Sequence, residues 1–259
     1  MKDKKQIRSL IVCAAALLVG TAHAADWQEL IGNAGLDDWQ QMGGDARYEI
    51  KDGEIVGYAA ANSPNSFLTT KKRYSDFILE YEARLDEPMN SGVQFRSHVR
   101  ENGVVYGYQV EIDPTLRRFT GGLYDEKRRR WMYPLTRNEK GRDAFRNGDW
   151  NKYRVEAIGS SLRVWVNGIQ TVDMVDDMTA EGFFGLQVHS IRNPEHAGYS
   201  VRWRNMRILT SDLEENRMPR DPTVCLLYTS PSPRDFSCNL VCRLGLEKGG
   251  GGGGGGGGG

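Results

Sequence analysis

The sequence predicts an all-β fold, an antiparallel β-sandwich or jelly roll in a single domain, and three observations predict it. Short runs alternate apolar and polar residues along the chain, as in FILEYEARL, YGYQVEID and KYRVEAIG; this is the period-two signature of strands with one buried face. Asp52-Gly53 and Asn167-Gly168 sit between such runs, in RYEIKDGEIVGYA and LRVWVNGIQTVD, and both dipeptides accept the positive φ of a tight hairpin. Sustained helical periodicity is missing from every window of useful length. About ten short strands joined by Gly and Asn turns make one sandwich, with no internal repeat and no second domain.

The strands follow in order. After the first hairpin come FLTTKKRY, FILEYEARL, SGVQFRSH and YGYQVEID; after the second come FFGLQVHSI and YSVRWRNMRIL. Two stretches break this rhythm: DPTLRRFTGG, residues 113–122, and the long polar segment 125–150 that contains EKRRRWMYPL. Long connections inside a compact domain are more often functional than idle. Within the second, the run Lys127 to Arg130 reads as a solvated loop partly neutralised by Asp125 and Glu126.

Both ends are set aside. Residues 1–24 carry a basic start, a short apolar run and the small-x-small site Ala22-His23-Ala24, the signature of a bacterial Sec-type signal peptide cleaved after Ala24. This predicts a periplasmic or secreted protein with no membrane span after cleavage. At the other end, CLLYTSPSPRD, Cys225 to Asp235, resembles a reading frame of a transposase adapter used in short-read DNA sequencing, and an eleven-glycine run closes the chain. The resemblance implies that 224–259 is an appended, disordered artefact, which leaves 25–223 as the domain.

That domain contains none of the four cysteines, so disulfides and thiolate metal sites are excluded from it. Of the 34 basic and 34 acidic residues, four and one lie in the leader and three and two in the tail, which leaves 27 against 31. A net charge of about −4 argues against nucleic acid as the partner.

Candidate site residues come from comparing three strands. The polar sets are Gln94, Arg96 and His98 on SGVQFRSH, Gln109, Glu111 and Asp113 on YGYQVEID, and Gln187 and His189 on FFGLQVHS. None contains Lys or Thr, the usual residues of a wet strand face, and Gln, Glu, Asp, Arg and His are the groups that grip hydroxyls or move protons. Arg96 reads either as a structural partner of Glu111 or as a fork that binds a substrate oxygen. His189 suits a base, a metal ligand or a structural role; His196 reads as incidental. Trp131, in the irregular segment beside Arg130 and Tyr133, offers an indole face to the C–H patch of a sugar, so a carbohydrate is the expected ligand.

The segments NSGVQFR, YGYQVEID, TGGLYDE, GDWNKYRVEAIGSSLRVWVNG, GFFGLQVHS and RWRNMRI occur in an order that resembles the DUF1080, or 3-keto-disaccharide hydrolase domain, family over nearly all of 27–210. The resemblance implies a concanavalin A-like lectin/glucanase sandwich in which one sheet face forms the cleft. It also implies cleavage of glycosides already oxidised at C3, where the ketone acidifies the C2 hydrogen and the enolate expels the glycosidic oxygen. Such a route needs a base, a group that holds the enolate oxygen and an acid for the leaving group. On that reading Glu111 or His189 is the base, and Arg96 with Gln109 or Gln187 holds the enolate or ring hydroxyls. Asn90 and Trp131 line the substrate, Asp113 or Tyr124 assists departure, and a divalent metal on His189 with a carboxylate is an option. Many family members read Tyr-Glu-x-Gln on this strand, whereas here Gln109 precedes Glu111, so the identity of the catalytic carboxylate stays open. Two rivals stand beside it: a non-catalytic lectin-like module and a conventional glucanase with Glu111 and Asp113 as paired carboxyls.

Overall fold

The computed structural model describes residues 25–32, 35–229 and the backbone of 239–241; the leader, its cleavage site and most of the tail lie outside the described residues. The strands are β1 (Gln28–Glu29), β2 (Trp39–Gly43), β3 (Arg47–Lys51), β4 (Glu54–Tyr58), β5 (Ser66–Thr70), β6 (Phe77–Leu85), β7 (Ser91–Val99), β8 (Val105–Ile112) and β9 (Leu123–Glu126). After β10 (Arg130–Tyr133) and one short helix, α1 (Glu139–Arg142), follow β11 (Asn151–Ile158), β12 (Ser161–Val166), β13 (Ile169–Val175), β14 (Phe183–Val188), β15 (Ser200–Leu209), β16 (Leu226–Tyr228) and β17 (Asn239–Val241). They form two sheets. The seven-stranded sheet runs β10-β9-β8-β7-β14-β5-β2; the ten-stranded sheet runs β17-β16-β13-β12-β11-β6-β15-β4-β3, with β1 paired to β15. Among the described residues no helix is long and apolar enough to cross a membrane.

The alternation read in the sequence is what closes the sandwich. Val93 and Phe95 of β7, Tyr108, Val110 and Ile112 of β8, and Phe184, Leu186 and Val188 of β14 join one buried cluster with Leu79, Tyr81, Val155, Val164 and Trp203 of the other sheet. Each such side chain contributes about 1.5–3 kcal/mol by leaving water. Rings meet at close range, with Phe77 edge-on to Phe184 at 4.8 Å and Tyr81 stacked on Tyr153 at 4.8 Å.

The two sheets carry different polar faces. On the ten-stranded sheet, charges pair across neighbouring strands: Glu80 lies 2.6 Å from both Arg154 and Arg207, Glu82 2.8 Å from Arg204, and Arg202 2.5 Å from Asp86. The corresponding face of the seven-stranded sheet holds amides and a carboxyl instead, and this is the face that forms the cleft.

Three expectations are corrected here. The run Lys127 to Arg130 is not simply a solvated loop: Arg128 and Arg129 reach the fully buried Asp125 at 2.7 and 2.6 Å, and Arg129 also holds the buried Asp176 at 2.7 Å. Trp131 belongs to a strand, β10, paired with Tyr124 of β9. Residues 224–229 are not disordered: β16 lies parallel to the open edge of β13, Val224 and Leu227 are buried, and Tyr133 Oη donates to the Cys225 carbonyl at 2.6 Å. An exposed strand edge beside apolar side chains is a template for pairing, whatever the origin of the segment that takes it.

Candidate active site

A cleft of about 640 Å³ opens over β8, β14 and β9. Strand alternation places Gln109 and Glu111 of β8 on its floor, with Asp113 next in line. Gln187 comes from β14 and His189 directly follows it, Tyr124 and Glu126 come from β9, Trp131 from β10, and Asn90 precedes β7; all of these line the cleft. Eight of the nine candidate side chains therefore converge.

Arg96 is the exception, and the reason is local. It adopts φ of 45° in a bulge where β7 shifts register between Phe95 and His98. Arg96 and Ser97 together oppose Gly107 of β8, so the alternation resets and the guanidinium turns away from the cleft. Arg96 is 1% exposed and donates to the carbonyls of Ser75, Gly159 and Ala157 at 2.8, 2.8 and 3.1 Å, and to Asp76 at 2.8 Å. Neither of its sequence-based roles holds, since Glu111 is not its partner and the cleft does not receive it. Gly107 makes the bulge feasible: its φ is 143°, and a Cβ there would stand 2.3 Å from Ser97 Oγ.

Glu111 is the best-built group on the floor. Asn90 Nδ2 donates to its Oε1 at 2.7 Å and Gln109 Nε2 to its Oε2 at 3.0 Å. Burial pushes its carboxyl up to about 7, against the pull of those two hydrogen bonds and with some help from the charge of Asp113. A carboxyl poised there accepts a proton near neutral pH and is still ionised enough to do so.

Its neighbours divide the remaining work. Asp113 is committed elsewhere: Oδ1 accepts from the Thr115 N–H at 3.0 Å and Oδ2 from Arg117 Nε at 3.0 Å, which pins the 113–122 loop. Burial, followed by the charges of Glu126 and Glu111, raises the Tyr124 phenol, which keeps it protonated. His189 Nδ1 donates to the Ser190 carbonyl at 2.7 Å, so Nε2 is the nitrogen left to accept or to ligate. Trp131 is held edge-on by Phe119 and Tyr124, with centroids 5.1 and 5.3 Å away. Among the described residues no group of three or more His, Cys, Asp or Glu is arranged to hold a metal ion.

Three lining or supporting residues had been given no role. Glu126, raised by burial, follows Tyr124 by two on β9, an alternation that could have found it. Gln94 was visible in the polar set of β7. Gly92 leaves no side-chain signal, yet a Cβ there would stand 2.6 Å from Gln109 Cδ. Its bareness lets Gln109 lie across the floor. Gly92→Ala is expected to fold normally by circular dichroism and to lose up to about 100-fold in kcat/KM, because the displaced amide drags Glu111 with it.

A second cavity, about 410 Å³, lies on the ten-stranded sheet against Glu80, Arg154 and Arg207. Those charges pair with one another.

The chain belongs to the 3-keto-alpha-glucoside-1,2-lyase-like domain family, whose model matches residues 26–209. The family places it, at a coarse level, among proteins that act on glycosidic bonds. Solved structures share the fold. One is a candidate glycosyl hydrolase from Parabacteroides distasonis ATCC 8503, 17% identical, covering 71% of this chain and 98% of that one with a TM-score of 0.50. Another is a Bacillus subtilis protein of unknown function with a galectin-like fold, 11% identical, covering 71% and 94% with a TM-score of 0.50. No curated protein sequence matches the chain.

Proposed function

We propose that this protein cleaves glycosides carrying a ketone at C3 by 1,2-elimination, with Glu111 as the base. The observation that carries the reading is the buried Glu111 carboxyl on the cleft floor, held by Asn90 and Gln109 and pushed up to about 7. The ketone makes the C2 hydrogen acidic enough for such a base. Glu111 takes that proton, the electron pair moves to the C3 oxygen, and an amide donor from the floor holds the enolate. Collapse of the enolate forms the C1–C2 double bond and breaks the bond from C1 to the glycosidic oxygen. That oxygen leaves with a proton from the Tyr124 phenol. Adding the hydroxyl of water at C1, with the water's other proton going to the Tyr124 phenolate and the Glu111 proton returning to C2, turns elimination into net hydrolysis. A conventional retaining pair is less well supported, because the buried Asp113 carboxylate is ion-paired with Arg117 and bonded to the Thr115 N–H, which ties it to the 113–122 loop. Trp131, steadied by two rings, supports a sugar or flat aglycone beside the bond.

The leader over 1–24 supports export to the periplasm or beyond. One experiment tests both parts. The full chain is expressed in a bacterial host, the exported protein is checked for an N-terminus at Ala25, and its products are analysed on a 3-keto-glucoside and on the parent glucoside. Turnover of the keto sugar alone is expected. Turnover of the parent sugar would overturn the mechanism, and a leader retained in the cytoplasm would overturn the export.

A further inference from the structure

The floor of the cleft is a row of amides with a defined polarity. Gln94 Nε2 donates to Gln109 Oε1 at 3.3 Å; Gln109 Nε2 donates to Glu111 Oε2 at 3.0 Å and to Gln187 Oε1 at 3.3 Å. All three glutamines are buried. The direction follows from chemistry rather than from naming amide atoms, since an ionised carboxylate only accepts. Glu111 therefore fixes Gln109 with its nitrogen inward, Gln109 presents its oxygen to Gln94, and Gln187 must offer Gln109 its oxygen. Two atoms are left over: Gln187 Nε2 and Gln94 Oε1 are buried with no hydrogen-bond partner. Buried polar atoms are nearly always satisfied, so an orphan donor on a residue that lines the cleft calls for an acceptor from a ligand.

We propose that Gln94 is a positioning residue of this site: its amide locks Gln109 so that Glu111 is held as a carboxylate and Gln187 Nε2 is kept as the donor for an acceptor oxygen of the sugar. Gln94 does not line the cleft itself and acts through Gln109. The inference rests on Glu111 being the base. If Glu111 is protonated on Oε2, that oxygen becomes a donor and the row is free to reverse, which turns Gln187 Nε2 toward Gln109 and away from substrate. Binding and protonation state are thereby linked through three amides.

The test reads the relay without needing turnover. In Gln94→Met, an unbranched side chain of similar length, Gln109 loses the partner that holds its oxygen. Gln109 is then free to turn its Nε2 off the carboxylate, and the midpoint of Glu111, followed by carboxyl carbon NMR, is expected to rise by about one pH unit, a tenfold change in acidity. The acid limb of kcat/KM on the keto sugar should move with it. An unchanged midpoint in the folded variant overturns the proposal. Should Gln94→Met fail to fold, wild-type protein labelled with nitrogen-15 in glutamine decides: the Gln94 side-chain amide signal should titrate with the Glu111 midpoint, and a signal that stays still across it overturns the relay. If wild type lacks activity on the keto sugar, these titrations still report on the relay, so the two readings fail separately.

Discussion

Glu111→Gln is expected to abolish turnover and, at pH 8, to raise the melting temperature above that of wild type. The sign follows from burial. The folded-state carboxyl is pushed up to about 7 from its ordinary 4.5, so between those values the folded protein holds a proton that the unfolded chain has released. Stability therefore falls as pH rises through that window. The cost of ionised Glu111 is fully present above 7 and amounts to about 3 kcal/mol, or roughly 5–10 °C in a domain of this size. Glutamine carries no charge and can join the amide row by reversing it, so it escapes this cost. The difference between variant and wild type should shrink as pH falls and vanish near 4.5. Thermal melts at pH 5, 6, 7 and 8, set beside rates on the keto sugar, check both halves. A variant less stable than wild type at pH 8 would mean that Glu111 is a structural carboxylate, well paid for by Asn90 and Gln109, rather than a strained base.

What the sequence showed of this site follows from the period of a strand. Gln109, Glu111 and Asp113 share a face because they are two apart, and the same rule puts Gln187 and His189 together. Once two sheets stack, those faces have few places to go, and the cleft assembles from spacing alone. The rule fails where the period breaks. Nothing in SGVQFRSH announces the bulge at Arg96, because the glycine that permits it, Gly107, sits on the partner strand. The ion pair of Arg129 with Asp176 was hidden for a similar reason: Asp176 lies 47 residues away and is brought near only by sheet order. Asp113 was legible as a member of the face but not as a residue already bound to Arg117, since hydrogen-bond commitment depends on how the 113–122 loop turns back. Gly92 matters through the absence of a side chain, which no alternation pattern can register.

Arg96→Met separates the two accounts of this residue more sharply than any variant in the cleft. As a substrate-binding group, Arg96 would raise KM when removed and leave stability nearly unchanged. The structure gives the opposite expectation. The guanidinium fork satisfies three backbone carbonyls and Asp76 from a position 1% exposed, and burial already depresses its pKa. Removing it takes the donor from all three carbonyls; of the residues that carry them, Ala157 is buried while Ser75 and Gly159 are exposed. Hydrogen bonds from a charged donor are worth about 1.5–3 kcal/mol each and the loss is shared among several, so a cost of about 3–5 kcal/mol and a melting temperature lower by about 10 °C are expected. Asp76 softens the effect, because its side chain is 46% exposed and can turn to solvent. Arg96→Lys should recover only part of the loss, since one ammonium on a flexible stem cannot serve a planar set of four acceptors. Assayed at 15 °C, where both variants stay folded, kcat/KM should remain within about twofold of wild type. The bulge thus places an arginine at positive φ where it ties β7 to Ala157 and Gly159 of the facing sheet, a structural role that leaves the cleft to other residues.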